Sequence, residues 1–326
     1  MGPSNDKLTI LVTGCSPGGM GAALAEAFHR AGHRVFATAR NPSKLSPLAE
    51  QGIETLTLDV TSPSSIAAAV SSLTASLPPN QGLDMLVNNA AGSYSMPIAD
   101  ISLDAARDLF NLNVWAHIAV TQALLPLLFR QSTTTATTIP TATATFSSTT
   151  TAFQPMIVNH TSVGSVAALP FQGVYNASKA ALAMLTATMR MELAPFGIRV
   201  IDLKTAGVKT NIINNNNVNN PAAGGGGGDR LPEGSIYAPV REVVERAMSQ
   251  EDLRGRGITA EQWAEEVAGL LLGRNPPAVI WKGESAMVVR VASAMPCDLF
   301  EGPIKKMTGM DRVEEIIRRN WATGQV

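Results

Sequence analysis

The stretch that decides the fold is Leu8-Thr9-Ile10-Leu11-Val12-Thr13-Gly14-Cys15-Ser16-Pro17-Gly18-Gly19-Met20-Gly21. Its first half is an apolar, β-branched run long enough for one strand and no more. Its second half is a glycine-rich turn, and an alanine-rich segment with helical spacing follows. A strand, a glycine turn and a helix in that order bring backbone N–H groups up to a pyrophosphate at a helix N-terminus, where the helix dipole favours negative charge. The turn residues Gly14, Ser16, Gly19, Met20 and Gly21 are therefore candidates for contact with a dinucleotide.

The same alternation of strand and helix continues along the chain. Strands are expected at residues 8–13, 34–39, 54–59, 83–88, 156–161, 199–204 and 278–281, and helices at 21–31, 62–77 and 175–194. Residues 102–129 should hold one or two helices, with Pro126 near the end. This predicts an α/β fold: a single doubly wound parallel sheet of the Rossmann type, about seven strands, with helices on both faces. The whole chain, 1–326, reads as one domain. Two low-complexity tracts interrupt it, a Thr-rich one at 132–151 and an Asn/Gly-rich one at 214–228, both expected to be surface insertions. A substrate or lid region is expected from about residue 211 onward.

Composition narrows the function. Hydrophobic residues make up 45% of the 326, enough for a large core, and a net charge of -1 argues against a nucleic-acid partner. Cys15 and Cys297 are too few for a disulfide framework and fit a reducing, cytoplasmic compartment. No stretch reaches the roughly 20 apolar residues of a membrane span. The apolar run 286–300 is read as a buried helix, with peripheral membrane contact as the alternative.

Several residue types then point to carbonyl chemistry. The second strand ends Ala37-Thr38-Ala39-Arg40. A carboxylate there would hold the ribose 2′-hydroxyl of NAD, whereas the Arg40 guanidinium suits a 2′-phosphate, so the expected cofactor is NADP(H). Asp59, closing the third strand, is a candidate adenine contact. Tyr175 and Lys179, four residues apart at a helix start, share one face. A free phenol has a pKa near 10, and a nearby ammonium favours its ionised form; bringing it to about 7 is worth roughly 4 kcal/mol. Ser162 falls just beyond the fifth strand, where open α/β sheets place ligand contacts, and its hydroxyl could polarise a carbonyl. A serine hydrolase is excluded because all four histidines precede Ser162 and His160 stands where a nucleophile elbow needs glycine. His29 and His33 lack a third partner, so no metal is expected.

Taken together, Thr13-Gly14, Gly19 and Gly21, Asn88-Asn89-Ala90, Asn113, Ser162, and Tyr175 with Lys179 resemble the short-chain dehydrogenase/reductase family, in order over residues 8–210. The TGCSxGGxG turn and Val35-Phe36-Ala37-Thr38-Ala39-Arg40 resemble a fungal subgroup that includes NADPH-dependent 1-acyldihydroxyacetone-phosphate reductases. The resemblance implies hydride transfer between NADP(H) and a ketone or secondary alcohol on a mainly apolar small molecule. It gives Tyr175 as proton donor, Ser162 as the carbonyl's partner, Lys179 on the ribose, and Asn113 holding a water behind Lys179. Asn89 would lie near the adenosine ribose, and Val208 and Thr210 near the nicotinamide amide and phosphates. It also implies a homodimer or homotetramer through the helices around Trp115 and Met184, and allows a peripheral site on endoplasmic reticulum or lipid droplets. Three departures stand out: one extra residue in the glycine turn, an added Ala91 before Gly92, and Ala206-Gly207 in place of Pro-Gly. Met96, Phe171 and Tyr237 are open between pocket wall and core. A ketoreductase of a polyketide or terpenoid pathway and a non-catalytic NADP(H)-binding regulator are the alternatives.

Overall fold

The computed structural model describes residues 7–135, 153–210, 230–251, 255–296 and 298–322. A seven-stranded parallel sheet forms its centre. The strands are β1 (Thr9–Val12), β2 (Arg34–Ala39), β3 (Glu54–Thr57), β4 (Met85–Asn88), β5 (Met156–His160), β6 (Arg199–Thr205) and, after the two-residue strands β7 (Val208–Lys209) and β8 (Ile258–Thr259), β9 (Val279–Lys282). Their order is β3-β2-β1-β4-β5-β6-β9, so the winding reverses between β1 and β4. In open sheets of this kind ligands bind at that reversal, beyond the strand ends.

Alternation along the strands builds two cores. Ile10, Val12, Met85, Val87, Val158 and Leu203 face one side, against α1 (Met20–Arg30) and the helix Ala260–Leu271, whose Trp263 is fully buried. Leu11, Phe36, Leu86, Ile157 and Val200 face the other, against α3 (Pro63–Ser76) and α5 (Ala116–Thr135). The short α2 (Ser46–Glu50) closes the β2 to β3 connection. Because both faces are covered, nearly every central strand position is buried and the sequence reads as unbroken apolar runs.

Helix starts follow their capping residues. Ser62 Oγ accepts from the Ser65 amide, and Ser102 Oγ accepts from Ala105, placing the first helical residue one position after the start expected from the sequence. The expected helical segment 102–129 resolves into α4 (Leu103–Phe110), a π-helical turn Asn111–Trp115, and α5, which runs on to Thr135. The Thr-rich tract thus begins as helix; its remainder from 136 and the tract 214–228 lie outside the described residues. The long helix α6 (Gly173–Leu193) begins two residues earlier than expected.

Two sequence readings are corrected. The helical run Leu103–Gln131 is, by length and composition, apolar enough to cross a membrane. Half of its most apolar window is nevertheless buried, with α5 packed on α3 and the sheet. Polar residues spaced along it, among them Asn113 and Thr121, hide this length when only uninterrupted apolar runs are sought. Conversely, residues 286–300 are not a buried helix. In the helix Ala286–Ala292 only Ala286 is buried, and Val288 stays 67% exposed, because the segment lies at the rim beyond β9 instead of under a helical layer.

A buried polar chain crosses the sheet. Asn88 Nδ2 donates to Thr121 Oγ1 on α5 and to Asn159 Oδ1 on β5, both at 3.0 Å, and Asn159 Nδ2 donates to Thr186 Oγ1 on α6 at 3.0 Å. Each polar group has a partner, so the chain fixes strand register at little net cost. Asn159→Ala removes one of the two acceptors of the Asn88 amide and the donor to Thr186, and is expected to cost about 2–3 kcal/mol. Urea unfolding checks this: the midpoint should fall with an unchanged slope.

Candidate active site

The turn after β1 is docked onto the end of β4. Gly14 adopts φ +74°, and a Cβ there would stand 2.8 Å from the Ala90 Cα. Thr13 Oγ1 accepts from the Asn89 and Ala90 amides at 2.9 and 3.0 Å. Asn89 Nδ2 donates to the carbonyls of Thr13 and Gly14, while its Oδ1 pairs with His160 Nδ1 at 2.9 Å. One side chain therefore joins the ends of β1, β4 and β5. Gly21 serves the same docking: a Cβ would approach Asn89 Nδ2 to 2.4 Å and the Gly14 carbonyl to 2.6 Å. Gly19 is the N-cap of α1, where no side chain caps the helix and no acid occupies the first turn. Cys15, beneath the turn, is buried, its Sγ donates to the Val12 carbonyl at 3.3 Å, and burial pushes its thiol up to about 12.

A cavity of about 570 Å³ opens over this turn. Of the candidate residues it is lined by Gly14, Ser16, Gly19, Met20, Arg40, Asn89, Ser162, Tyr175, Lys179, Val208 and Thr210, brought together from six separate segments of the chain. Three candidates lie off its wall. Gly21 is taken up by packing, as above. Asp59 turns its carboxylate back to the Thr61 amide and hydroxyl at 2.9 and 2.7 Å, and its neighbours Leu58 and Val60 form the wall instead. Asn113 is fully buried, its Oδ1 accepting from the Gly92 amide at 2.9 Å and its Nδ2 donating to the Gly92 carbonyl and Ser178 Oγ, both at 3.0 Å. Its side chain is spent on holding the Asn88–Gly92 loop against α6 and is not directed at Lys179.

Residues that the sequence reading missed also line the cavity. Lys44 joins Arg40 at the β2 end, carried there by the 3-10 turn Pro42–Leu45 that Asn41 caps. The signal was the Asn41-Pro42 turn, which fixes the distance between the two cations. His160, Tyr94 and Leu109 are further wall residues. Met96, Phe171 and Tyr237 are resolved as core. They pack with Leu231, Val240, Val244 and Val313, the Phe171 and Tyr237 rings meeting edge to face at 6.2 Å.

At the other end of the cavity Ser162 begins the turn Val163–Ser165, and its Oγ accepts from the Gly164 amide at 3.1 Å, leaving its own proton to donate. Ser162 and Tyr175 lie side by side over Gly164, where a Cβ would meet Ser162 Oγ at 3.4 Å and the Tyr175 ring at 3.5 Å. Burial raises the phenol pKa, and the Ser162 hydroxyl offsets this only in part. The expected lowering by Lys179 is not seen: the ammonium is 6.0 Å from the Tyr175 ring centroid and donates to the His160 carbonyl at 2.9 Å. Lys179 itself is buried, and desolvation brings it to about 8, against the opposing pull of Asp202. His117 and His160 stand around it, both held neutral by burial first and by the Lys179 charge second, His117 at about 3. The His160 ring is fixed by Asn89 on one nitrogen, Thr205 Oγ1 on the other at 2.7 Å, and Trp263 stacked at 5.2 Å.

The sequence pattern of the short chain dehydrogenase family matches residues 8–221. This chain belongs to that family. It is 45% identical over 312 residues to a short-chain dehydrogenase/reductase, GME11361, of Pestalotiopsis microspora, covering 96% of this chain and 98% of the relative. It is 31% identical over 306 residues to the NADPH-dependent 1-acyldihydroxyacetone phosphate reductase of Schizosaccharomyces pombe, covering 91% and 92%. Among solved structures, a short-chain dehydrogenase from Streptomyces avermitilis superposes with a TM-score of 0.68 at 25% identity over 95% of this chain and 98% of that one.

As a short-chain dehydrogenase the protein is an oxidoreductase of CH–OH and C=O groups, and its cofactor is a nicotinamide dinucleotide. The residues fit such a group: an uncapped helix N-terminus faces the cavity, with Gly14, Ser16, Gly19 and Met20 of the glycine turn on its wall. Gly21→Ala tests that fit. Its Cβ must push Asn89 or the Gly14 carbonyl aside, with an expected stability loss of about 1–3 kcal/mol. Cofactor affinity, measured by fluorescence titration below the unfolding temperature, should weaken at least about tenfold.

Proposed function

We propose that this short-chain dehydrogenase is an NADPH-dependent carbonyl reductase acting on an apolar ketone, with Tyr175 as proton donor. The observation that carries the reading is the cavity itself, with two cations, Arg40 and Lys44, at its β2 end and the neighbouring hydroxyls of Ser162 and Tyr175 at the other. Two cations at the close of β2, where a carboxylate would select NAD, suit the 2′-phosphate of NADP(H).

When bound, the nicotinamide supplies the hydride that adds to the carbonyl carbon. The chain's own groups handle the oxygen. Ser162, whose Oγ already accepts from Gly164, turns its hydroxyl proton to the carbonyl oxygen and holds it in place. Tyr175 keeps its proton at neutral pH because burial disfavours phenolate, and it passes that proton to the oxygen as negative charge develops. Lys179, close behind, stabilises the phenolate left after transfer, a task its ammonium performs until pH climbs through about 8. The donor role of Asn113 falls to holding the Gly92 loop, through which it fixes the wall opposite Tyr175. Val208 and Thr210 lie where β6 leads into the region from residue 211, which we assign to the substrate lid.

Tyr94, Ala105, Leu109 and Val174 form a small apolar cluster against Tyr175. The cationic side chains on the described wall are Arg40, Lys44 and Lys179. The apolar cluster beside Tyr175 favours an uncharged ketone, as in a specialised-metabolite ketoreductase. The Schizosaccharomyces pombe relative is what supports 1-acyldihydroxyacetone phosphate as the second reading. Exposed Trp115 and Met184 support a homo-oligomer, which a monomeric sedimentation profile would contradict.

Steady-state kinetics with both cofactors and a panel including ethyl acetoacetate, cyclohexanone and an acyl-dihydroxyacetone phosphate test the proposal. NADPH should be preferred, and Arg40→Ala with Lys44→Ala should reduce that preference by roughly ten- to hundredfold, as expected for lost charge-assisted hydrogen bonds. Tyr175→Phe should lower kcat by about a hundredfold or more while the cofactor still binds. Equal efficiency with NADH in the parent would overturn the Arg40 and Lys44 assignment; full activity in Tyr175→Phe would overturn the mechanism.

A further inference from the structure

Next to the site, β6 carries two charged residues in its buried stretch. Asp202 and Lys204 form an ion pair at 2.8 Å with side chains only 6% and 8% exposed. Such a pair is weak evidence for stability, because desolvating two charges cancels most of their attraction. What distinguishes this pair is where its other contacts go. Asp202 Oδ1 accepts from the Thr161 hydroxyl, on the residue just before Ser162. Lys204 Nζ donates to Ser165 Oγ at 2.8 Å, on the last residue of the turn that Ser162 opens. The Thr161 amide also donates to the Leu203 carbonyl of β6, and the Ser165 amide closes the turn on the Ser162 carbonyl, both at 2.9 Å. Trp281 on β9 covers Lys204, with the ammonium 5.6 Å from its ring centroid.

We propose that the Asp202–Lys204 pair is a positioning device for Ser162, gripping the chain on both sides of it, and that Asp202 divides its charge between Lys204 and Lys179. The inference rests on the carbonyl-reductase reading of Ser162 and Lys179. The first half follows from the two hydroxyl contacts: with Thr161 and Ser165 both tethered to β6, the Ser162 hydroxyl cannot drift from the Tyr175 phenol. An ångström of drift in such a group is enough to cost orders of magnitude in rate. The second half follows from the charges that face Lys179. Tyr175 approaches from its own helix, His160 from β5, His117 from α5, and Asp202 with its partner Lys204 from β6. Both histidines are neutral at ordinary pH, and Tyr175 is protonated. Asp202 is therefore the one anion among these groups: it holds the Thr161 hydroxyl, one residue on from the His160 carbonyl that receives the Lys179 ammonium at 2.9 Å, and from there it favours that ammonium.

Opposite substitutions at the two ends of the pair separate positioning from plain stability. Asp202→Asn removes the anion, so Lys179 should lose its proton more readily and the alkaline limb of the pH–kcat profile should move to lower pH. Lys204→Met removes the competing cation and leaves the whole Asp202 charge to Lys179, so the limb should move to higher pH. Both single variants should lower kcat by about tenfold or more at the optimum, with KM for NADPH and its fluorescence-measured affinity within about twofold of the parent. Asp202→Asn with Lys204→Gln, a neutral pair able to keep both hydroxyl contacts, should recover most of kcat. A role in stability alone would lower the unfolding temperature of both single variants and leave kcat per folded site and the pH limb where they were; that result, or shifts in the same direction, overturns the inference. A parent enzyme that turns over no ketone of the panel overturns the carbonyl-reductase reading first and this inference with it.

Discussion

The site depends on one amide. Asn89 sits where the winding of the sheet reverses, and its side chain has no slack: both Nδ2 hydrogens go to carbonyls of the β1 turn, and Oδ1 goes to His160. Three loops from three strands share this single residue, so the phosphate end and the reacting end of the cavity are fixed relative to one another. The close packing at Gly14 and Gly21 is what lets the amide reach that far. Beyond it, the Asn88 to Asn159 to Thr186 chain continues the tie into the sheet and α6, the helix that carries Tyr175 and Lys179. Position at the active site is thus inherited from hydrogen bonds inside the sheet.

Strand number, parallel direction and the place of the crevice were legible in the sequence, because buried parallel strands write themselves as short β-branched runs between helices. Ser162, Tyr175, Lys179 and the glycine turn were legible for a related reason: their spacing follows from strand ends and helix starts. What the sequence did not reveal depends on which way a side chain turns. Asp59 closes a strand as expected but satisfies Thr61, and Asn113 is buried yet engaged by a loop 21 residues earlier. Lys44 is separated from Arg40 by a turn whose geometry, not its composition, brings both to the same wall. The apolar run 286–300 was misjudged because hydrophobicity says what could be buried, not whether a neighbouring layer exists to bury it.

Charge placement around Lys179 follows one rule throughout. Titratable groups near it are either neutralised by burial, as His117 and His160 are, or paired, as Asp202 and Lys204 are. The result is a low-dielectric surround in which a single ammonium has long reach. In such surroundings Tyr175 does not need to be ionised beforehand. The same burial favours its protonated form, which suits the proton-donor role proposed for it.

The buried thiol of Cys15 has a bearing on which substrates the enzyme can survive. A thiol held near 12 is almost wholly protonated at physiological pH, and the thiolate is the reactive form toward electrophiles. Cys15 lies directly beneath the cofactor turn yet forms no part of the cavity wall. An α,β-unsaturated ketone entering the cavity therefore meets no nucleophilic sulfur at the glycine turn, and neither does peroxide diffusing in from solvent. Burial and protonation both shield the sulfur that this turn carries from conjugate addition and from oxidation.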